Sequence, residues 1–186
     1  MRRLEAEEVR DSILAVNGSL NLKMGGPSIY PKIPAEVLAG QSQPGNGWGK
    51  SSLEEERRRS VYIYVKRSLI TPMIASFDGP ETDFTCPVRF ATTQPTQALG
   101  MINSAYINQQ AQVFADYLTK QAGSDPTAQV KLALRRVLQR EPTPKEIERG
   151  VKYIASAQSK QRVAEGEALR LFCVIALNLN EFIYLD

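Results

Sequence analysis

Apolar residues recur at helical spacing at both ends of this chain. The N-terminal set follows intervals of three and four residues: Ala6, Val9, Ile13, Val16 and Leu20. Such spacing puts the set on one face of a helix. Gly18 is a natural end for it, because glycine tolerates the left-handed backbone found at helix C-termini. Residues 1–20 are therefore predicted to be helical.

From Pro95 onward the pattern is helical again, with clear boundary signals. Asn103-Ser104 is predicted to divide the first stretch into two helices, and Gly123 to end the second. Asp125-Pro126 offers an N-cap followed by proline at the first helical position. Thr143-Pro144-Lys145-Glu146 has the form of a capping box and predicts another helix start. At least four helices are therefore expected here.

The last predicted helix runs from about Glu165 to Asn180 and is apolar nearly all round. A helix without a polar face is expected at the buried centre of a bundle. Cys173 lies in this apolar run and is predicted to be a buried small hydrophobic residue.

The middle of the chain has a different pattern. Residues 21–52 are irregular and rich in glycine and proline. Within Arg57–Arg67, Val61, Ile63 and Val65 alternate with tyrosines and a lysine, which predicts a β-strand. The expected architecture is one mainly α domain: a helix over 1–20, a loop and strand region over 21–92, and an irregular helical bundle over 93–186.

Composition excludes several kinds of functional site but does not identify a reaction. The 186 residues carry 23 basic and 20 acidic side chains and no histidine, so the commonest catalytic base and metal ligand is missing. No CxxC or CxxCH motif surrounds the two cysteines, so no zinc and no covalent haem is expected in this chain. Neither a signal peptide nor a membrane-spanning run is apparent. Because the sequence starts within a helical pattern, we expect it to be an N-terminally truncated fragment.

The stretch Phe77–Asn103 concentrates the candidate chemistry. Asp78, Glu81 and Asp83 suit a pair of catalytic acids, for example in glycoside hydrolysis, or a calcium or sugar site. They also suit a solvated turn, since Gly79-Pro80 follows Asp78. Cys86 is a candidate thiol site in the same polar loop, and its pairing with Cys173 is left open.

Three further features have both a binding and a structural interpretation. Arg89 precedes the helix that is expected to start near Pro95, where free backbone N–H groups favour anions, although capping by Thr93 or Gln94 explains the same residues. The basic and aromatic residues of 57–67 suit stacking on bases or sugars, or packing under the loop. Trp48, in the segment GNGWGK, suits stacking on a sugar ring or anchoring its loop.

Several segments together resemble one family. They are RRLEAEEVRDSILAVNG, the GGP at 25–27, RRSVYIYVKRSL, FDGPETDFTCPVRFATTQPTQALGMIN and the closing LFCVIALNLNEFIYLD. This set resembles planctomycete-specific domain 1, a C-terminal domain of unknown function that typically follows a cytochrome-c-like module in large exported proteins. The resemblance implies an extracytoplasmic location, with haem only on a separate module of the parent protein.

The function expected from the sequence is therefore that of a non-catalytic accessory or interaction domain. Its expected partners are other domains of the parent protein, with polysaccharide as a further candidate and nucleic acid disfavoured by a net charge of only +3. The alternative is a polysaccharide-acting enzyme, or a calcium- or carbohydrate-binding module, that uses the acidic loop 78–83.

Overall fold

The structure, a computed structural model, describes residues 2–80, 82 and 87–185. Across these residues the chain is mainly helical, as predicted, with ten α-helices and one small two-stranded sheet. The chain divides into two compact units. The first contains Met1–Leu4, Ile13–Ser19 and Thr93–Asp186, and the second contains Glu5–Ser12 and Leu20–Thr92. The expectation of a single domain stays a prediction.

The first unit is a helical bundle with a short sheet. Strands β1 and β2 pair antiparallel, with Arg2 opposite Leu185. Helix α1 contributes only its last four residues to this unit. The elements are β1 (Arg2–Arg3), α1 (Ala6–Val16), α5 (Pro95–Asn103), α6 (Ala105–Ala122), α7 (Pro126–Leu138), α8 (Pro144–Gln161), α9 (Glu165–Ala176), α10 (Asn180–Ile183) and β2 (Tyr184–Leu185).

Most helix boundaries lie where the sequence signals predict them. The Asp125 carboxylate accepts hydrogen bonds from the backbone N–H groups of Thr127 and Ala128, which satisfies donors that have no partner inside α7. Thr143 and Glu146 form the predicted capping box at the start of α8. Local polar groups therefore define these starts, independently of the rest of the fold.

Helix α9 forms the centre of the bundle and contacts α6, α7 and α8. Its buried residues include Phe172 and Cys173, and burial strongly raises the pKa of the Cys173 thiol. A Cβ on Gly150 would lie 2.6 Å from Val130 Cγ1, so the glycine permits the close approach of α8 and α7. The predicted end at Asn180 was too late: α9 ends at Ala176, and Asn180 begins the short helix α10.

The second unit is mostly irregular. It contains the first seven residues of α1, α2 (Ala35–Ala39), α3 (Leu53–Glu56), a 3-10 turn (Ser60–Tyr62) and α4 (Pro72–Ser76). Among the described residues of this unit, β-type backbone pairing takes the form of isolated bridges, for example between Ile29 and Ile63. The order of this unit therefore depends on side-chain contacts more than on regular secondary structure.

The strand predicted within Arg57–Arg67 was wrong. Residues Ser60–Tyr62 form a 3-10 turn, and two of the alternating apolar residues are exposed, Val61 at 73% and Val65 at 69%. The Asp11 carboxylate accepts hydrogen bonds from the Ser60 backbone N–H, at 2.8 Å, and from its hydroxyl, at 2.7 Å. A backbone donor that a β-ladder would use is therefore bound to a side chain instead.

Candidate functional site

The second unit contains two buried arginines, of which Arg58 is completely buried. Its guanidinium donates hydrogen bonds to the backbone carbonyls of Lys23, Gly25 and Pro27. It also pairs with the Glu55 carboxylate at 3.0 Å and stacks on the Tyr62 ring at 3.8 Å. Gly25 and Gly26 have φ of +72° and +85°, which lets the backbone curve around this guanidinium.

The second buried arginine, Arg10, extends the same network. It donates hydrogen bonds to the carbonyl oxygens of Arg58 and Glu56 and to the Ser60 hydroxyl. The basic cluster that suggested a binding surface is therefore partly internal. Arg58 stabilises the loop and is not available to nucleic acid or sugar.

Asp78 closes a loop within the second unit. Its φ is +56°, and its carboxylate accepts hydrogen bonds from the Thr92 backbone N–H at 2.8 Å and the Thr92 hydroxyl at 2.9 Å. The residue thus ties together two points that are fourteen residues apart.

The other members of the predicted acidic and thiol site lie outside the described residues. These are Glu81, Asp83 and Cys86. The part of the chain that the structure describes contains no group of three acidic or cysteine residues able to hold a metal ion. The predicted site around Asp78 stays a prediction.

Arg89 is held by two acidic residues, Glu7 of α1 and Glu5 just before it. It contacts the Glu5 carboxylate at 2.9 Å and binds both oxygens of Glu7, at 3.1 and 2.9 Å. A bidentate pair of this kind fixes the guanidinium in position. The residues on either side point outward, with Val88 at 60% exposure and Phe90 at 78%. We call residues 88–90 the Val88–Phe90 tip.

The N-terminus of α5 is capped within the first unit. Gln94 and Gln97 form a reciprocal capping box, and Pro95 occupies the first helical position. The predicted Gln94 cap is therefore present, and it uses backbone N–H groups that an anion would otherwise bind.

Trp48 is half-buried and belongs to an aromatic cluster that the sequence did not suggest. Its ring centroid lies 5.6 Å from that of Tyr30 and 6.1 Å from that of Tyr64, and the tyrosines are 5.0 Å apart. The indole N–H donates to the Pro31 carbonyl at 3.1 Å. These contacts match the anchoring interpretation, because they fix the glycine-rich loop to the segment at 30–31.

Comparison with known families shows to which family the chain belongs. Residues 1–154 match the family described as PSD1, protein of unknown function (DUF1553). The chain belongs to this family. No curated protein and no solved structure matches it.

The match to the PSD1 family includes the whole second unit and most of the helical bundle. The family description assigns no activity, so it confirms the domain of unknown function and leaves the planctomycete source of the chain as an expectation. No helix in the described part of this PSD1 chain is long and apolar enough to cross a membrane.

Proposed function

We propose that this PSD1-family chain is a non-catalytic interaction domain that packs against other domains of a longer protein. The observation that carries the proposal is the Val88–Phe90 tip. Arg89 uses its charge within the chain, whereas the two apolar neighbours face solvent. An enzyme site would show the opposite arrangement, with accessible polar groups in a sheltered apolar surrounding.

Other large apolar side chains of the second unit are also exposed. They are Leu22, Met24, Leu53, Val61 and Val65, each at 64% exposure or more. Single exposed apolar residues are ordinary, and these residues would favour a protein partner where they form one contiguous patch. The alternative, a polysaccharide-acting enzyme or a calcium- or carbohydrate-binding module, would use the acidic loop 78–83, of which Glu81 and Asp83 lie outside the described residues.

The wider setting of the proposal follows from the resemblance of the sequence motifs. We propose that the parent protein is exported, comes from a planctomycete and carries a cytochrome-c-like module. Haem chemistry would then belong to that module. The present chain would hold the modules of the parent protein in a fixed arrangement outside the cytoplasm.

The test is a binding measurement between this chain and the separately produced remainder of its parent protein. We expect Val88→Ser with Phe90→Ser to weaken binding by about 30-fold or more, because loss of a docked aromatic anchor costs about 2 kcal/mol. Titration calorimetry on the two purified proteins measures the change.

A matched control changes two exposed apolar residues of helix α5. Leu99 and Ile102 are 59% and 49% exposed, and both become serine in the control. The proposal requires the control to bind within about threefold of the unchanged chain. Equal losses in both double variants, or no binding by the unchanged chain, would overturn it.

A further inference from the structure

Helix α8 carries a row of cations on its outward side. The α7–α8 segment, residues 125–162, has nine basic and four acidic side chains, a net charge of +5, whereas the whole chain has +3. Four of these cations are exposed on α8: Lys145, Arg149, Lys152 and Lys160. We call this set the α8 basic stripe. The positive charge of the chain is thus concentrated on one hairpin.

The spacing of the stripe puts its members on one face. At 3.6 residues per turn, intervals of four, three and eight residues keep all four within about 80° of the helix circumference, along about 22 Å of the axis. The buried residues Gly150, Ile154 and Ala157 lie on the opposite side. A Cβ on Gly150 would lie 2.6 Å from Val130 and 2.9 Å from Phe172, so this side of α8 packs against the bundle and the stripe faces away from it.

The cations of the stripe have no acidic partner among the described residues. The ion pairs on this hairpin involve Arg135 and Arg140 instead. Glu148 borders the stripe and forms no ion pair with it in the described part of the chain, and Glu146 is bound to Arg140. Four like charges in a row are therefore left for an external anion.

We infer that the α8 basic stripe binds a linear anionic polysaccharide. A protein partner would need an apolar centre to its interface, and no large apolar side chain is exposed on described residues of α7 or α8. A single-stranded nucleic acid would need exposed aromatic rings for stacking, and Tyr153, the one aromatic residue of α8, is half-buried. A row of flexible cations suits sulfate or carboxylate groups repeated along a sugar chain.

The experiment measures binding of the complete chain to dextran sulfate, with neutral dextran as the matched uncharged polymer. Binding should be confined to the sulfated form. With about 0.7 counterions released per neutralised charge, four contacts weaken binding by about 50-fold between 50 and 200 mM salt. Fluorescence anisotropy of a labelled oligosaccharide measures both effects.

Two variants with equal charge separate the stripe from net charge. The stripe variant replaces Lys145, Arg149, Lys152 and Lys160 by glutamine. The control variant makes the same change at exposed Lys50, Arg67, Lys120 and Lys131. The stripe variant should lose at least tenfold in affinity and the control less than threefold. A double variant, Lys145→Gln with Arg149→Gln, should show an intermediate loss.

Three results would overturn the inference. They are no binding of dextran sulfate at 50 mM salt, equal losses in the stripe and control variants, and tighter binding of duplex DNA or polyuridine than of dextran sulfate and polygalacturonate. The third result would reassign the stripe to nucleic acid. The inference does not depend on the proposed interaction function, because the Val88–Phe90 tip and α8 are separate features and the readouts differ.

Discussion

Arg58 organises the irregular backbone of the second unit. Three carbonyl oxygens from residues 23–27 converge on its guanidinium, and the Glu55 carboxylate balances its charge. Hydrogen bonding to Lys23 and Arg58 lowers the pKa of Glu55. A segment without regular secondary structure must satisfy its backbone groups in some other way, and here a side chain does so.

Replacing Arg58 with methionine should therefore destabilise the second unit severely. The change removes the buried guanidinium together with its part-buried hydrogen bonds to three carbonyls and its ion pair with Glu55, which costs about 3 kcal/mol in free energy of unfolding. Arg59→Met is the control, because Arg59 is 59% exposed and lies 3.7 Å from Asp11, so we expect a loss within about 0.5 kcal/mol. Urea unfolding measures both. Similar losses would contradict a special role for Arg58.

Such residue-scale roles could not be predicted from the sequence. Arg58 stands in a run of arginines that is typical of a solvated or ligand-binding surface, and the three carbonyls that it binds lie more than thirty residues away. The contacts of Trp48 could not be predicted either, because its tyrosine neighbours, Tyr30 and Tyr64, are distant in the sequence. Alternation alone predicted a strand where long-range hydrogen bonds to Asp11 produce a 3-10 turn.

At the scale of elements, local sequence signals were sufficient to predict several helix starts. The N-caps at Asp125 and Thr143 and the break at Ser104 all involve groups within three residues of the helix start. Interactions of that range can be read directly from a sequence. The end of α9 could not, since apolar residues continue through Leu179 into the next short helix.

Two glycines, one beyond the end of α1 and one within α5, should respond to alanine in opposite directions. Gly18 has φ of +75°, and a Cβ there would lie 2.8 Å from the Tyr117 ring, so Gly18→Ala should lower the free energy of unfolding by about 2 kcal/mol. Gly100 lies within α5 with open space around it, so Gly100→Ala should raise it by about 0.5–1 kcal/mol. Thermal denaturation compares the pair. Changes of the same sign would contradict this account of Gly18.

The start of α8 should make stability depend on acidic pH. The Arg140 guanidinium, followed by the Thr143 N–H and hydroxyl, lowers the pKa of Glu146 from 4.5 to about 2. A carboxylate whose pKa is lower in the folded state stabilises the fold above its unfolded pKa, and that contribution is lost as pH falls from about 4.5 to about 2. Because water reaches the pair of Arg140 and Glu146, we expect the ionised Glu146 carboxylate to contribute about 1 kcal/mol to the free energy of unfolding.

Glu146→Gln therefore should lower stability by about that amount at pH 7 and make little difference at pH 2. Glu148→Gln on the same helix is the control, and we expect it to change stability by less than about 0.5 kcal/mol. Urea midpoints recorded between pH 2 and pH 7 give the comparison. A constant difference between Glu146→Gln and the unchanged chain across this range would contradict the proposed ionic contribution.

At the scale of the whole molecule, α1 contributes residues to both units. Ile13 and Val16 belong to the core of the first unit, whereas Arg10 belongs to the buried network of the second. The sequence predicted the helix and its buried face, although Leu20 lies beyond its end. It could not predict this division, because both sets of residues occupy the same short helix.

A chain that begins at Leu20 should therefore lose order in both units. Without α1, the first unit lacks buried apolar residues and the second lacks the donors that Arg10 provides to Arg58 and Ser60. Hydrogen exchange should show lost protection in α9 and in residues 57–66 alike. A control chain that begins at Glu5 removes only β1 and should retain protection in residues 57–66. If either region of the Leu20 chain kept its protection, the unit containing it would fold without α1.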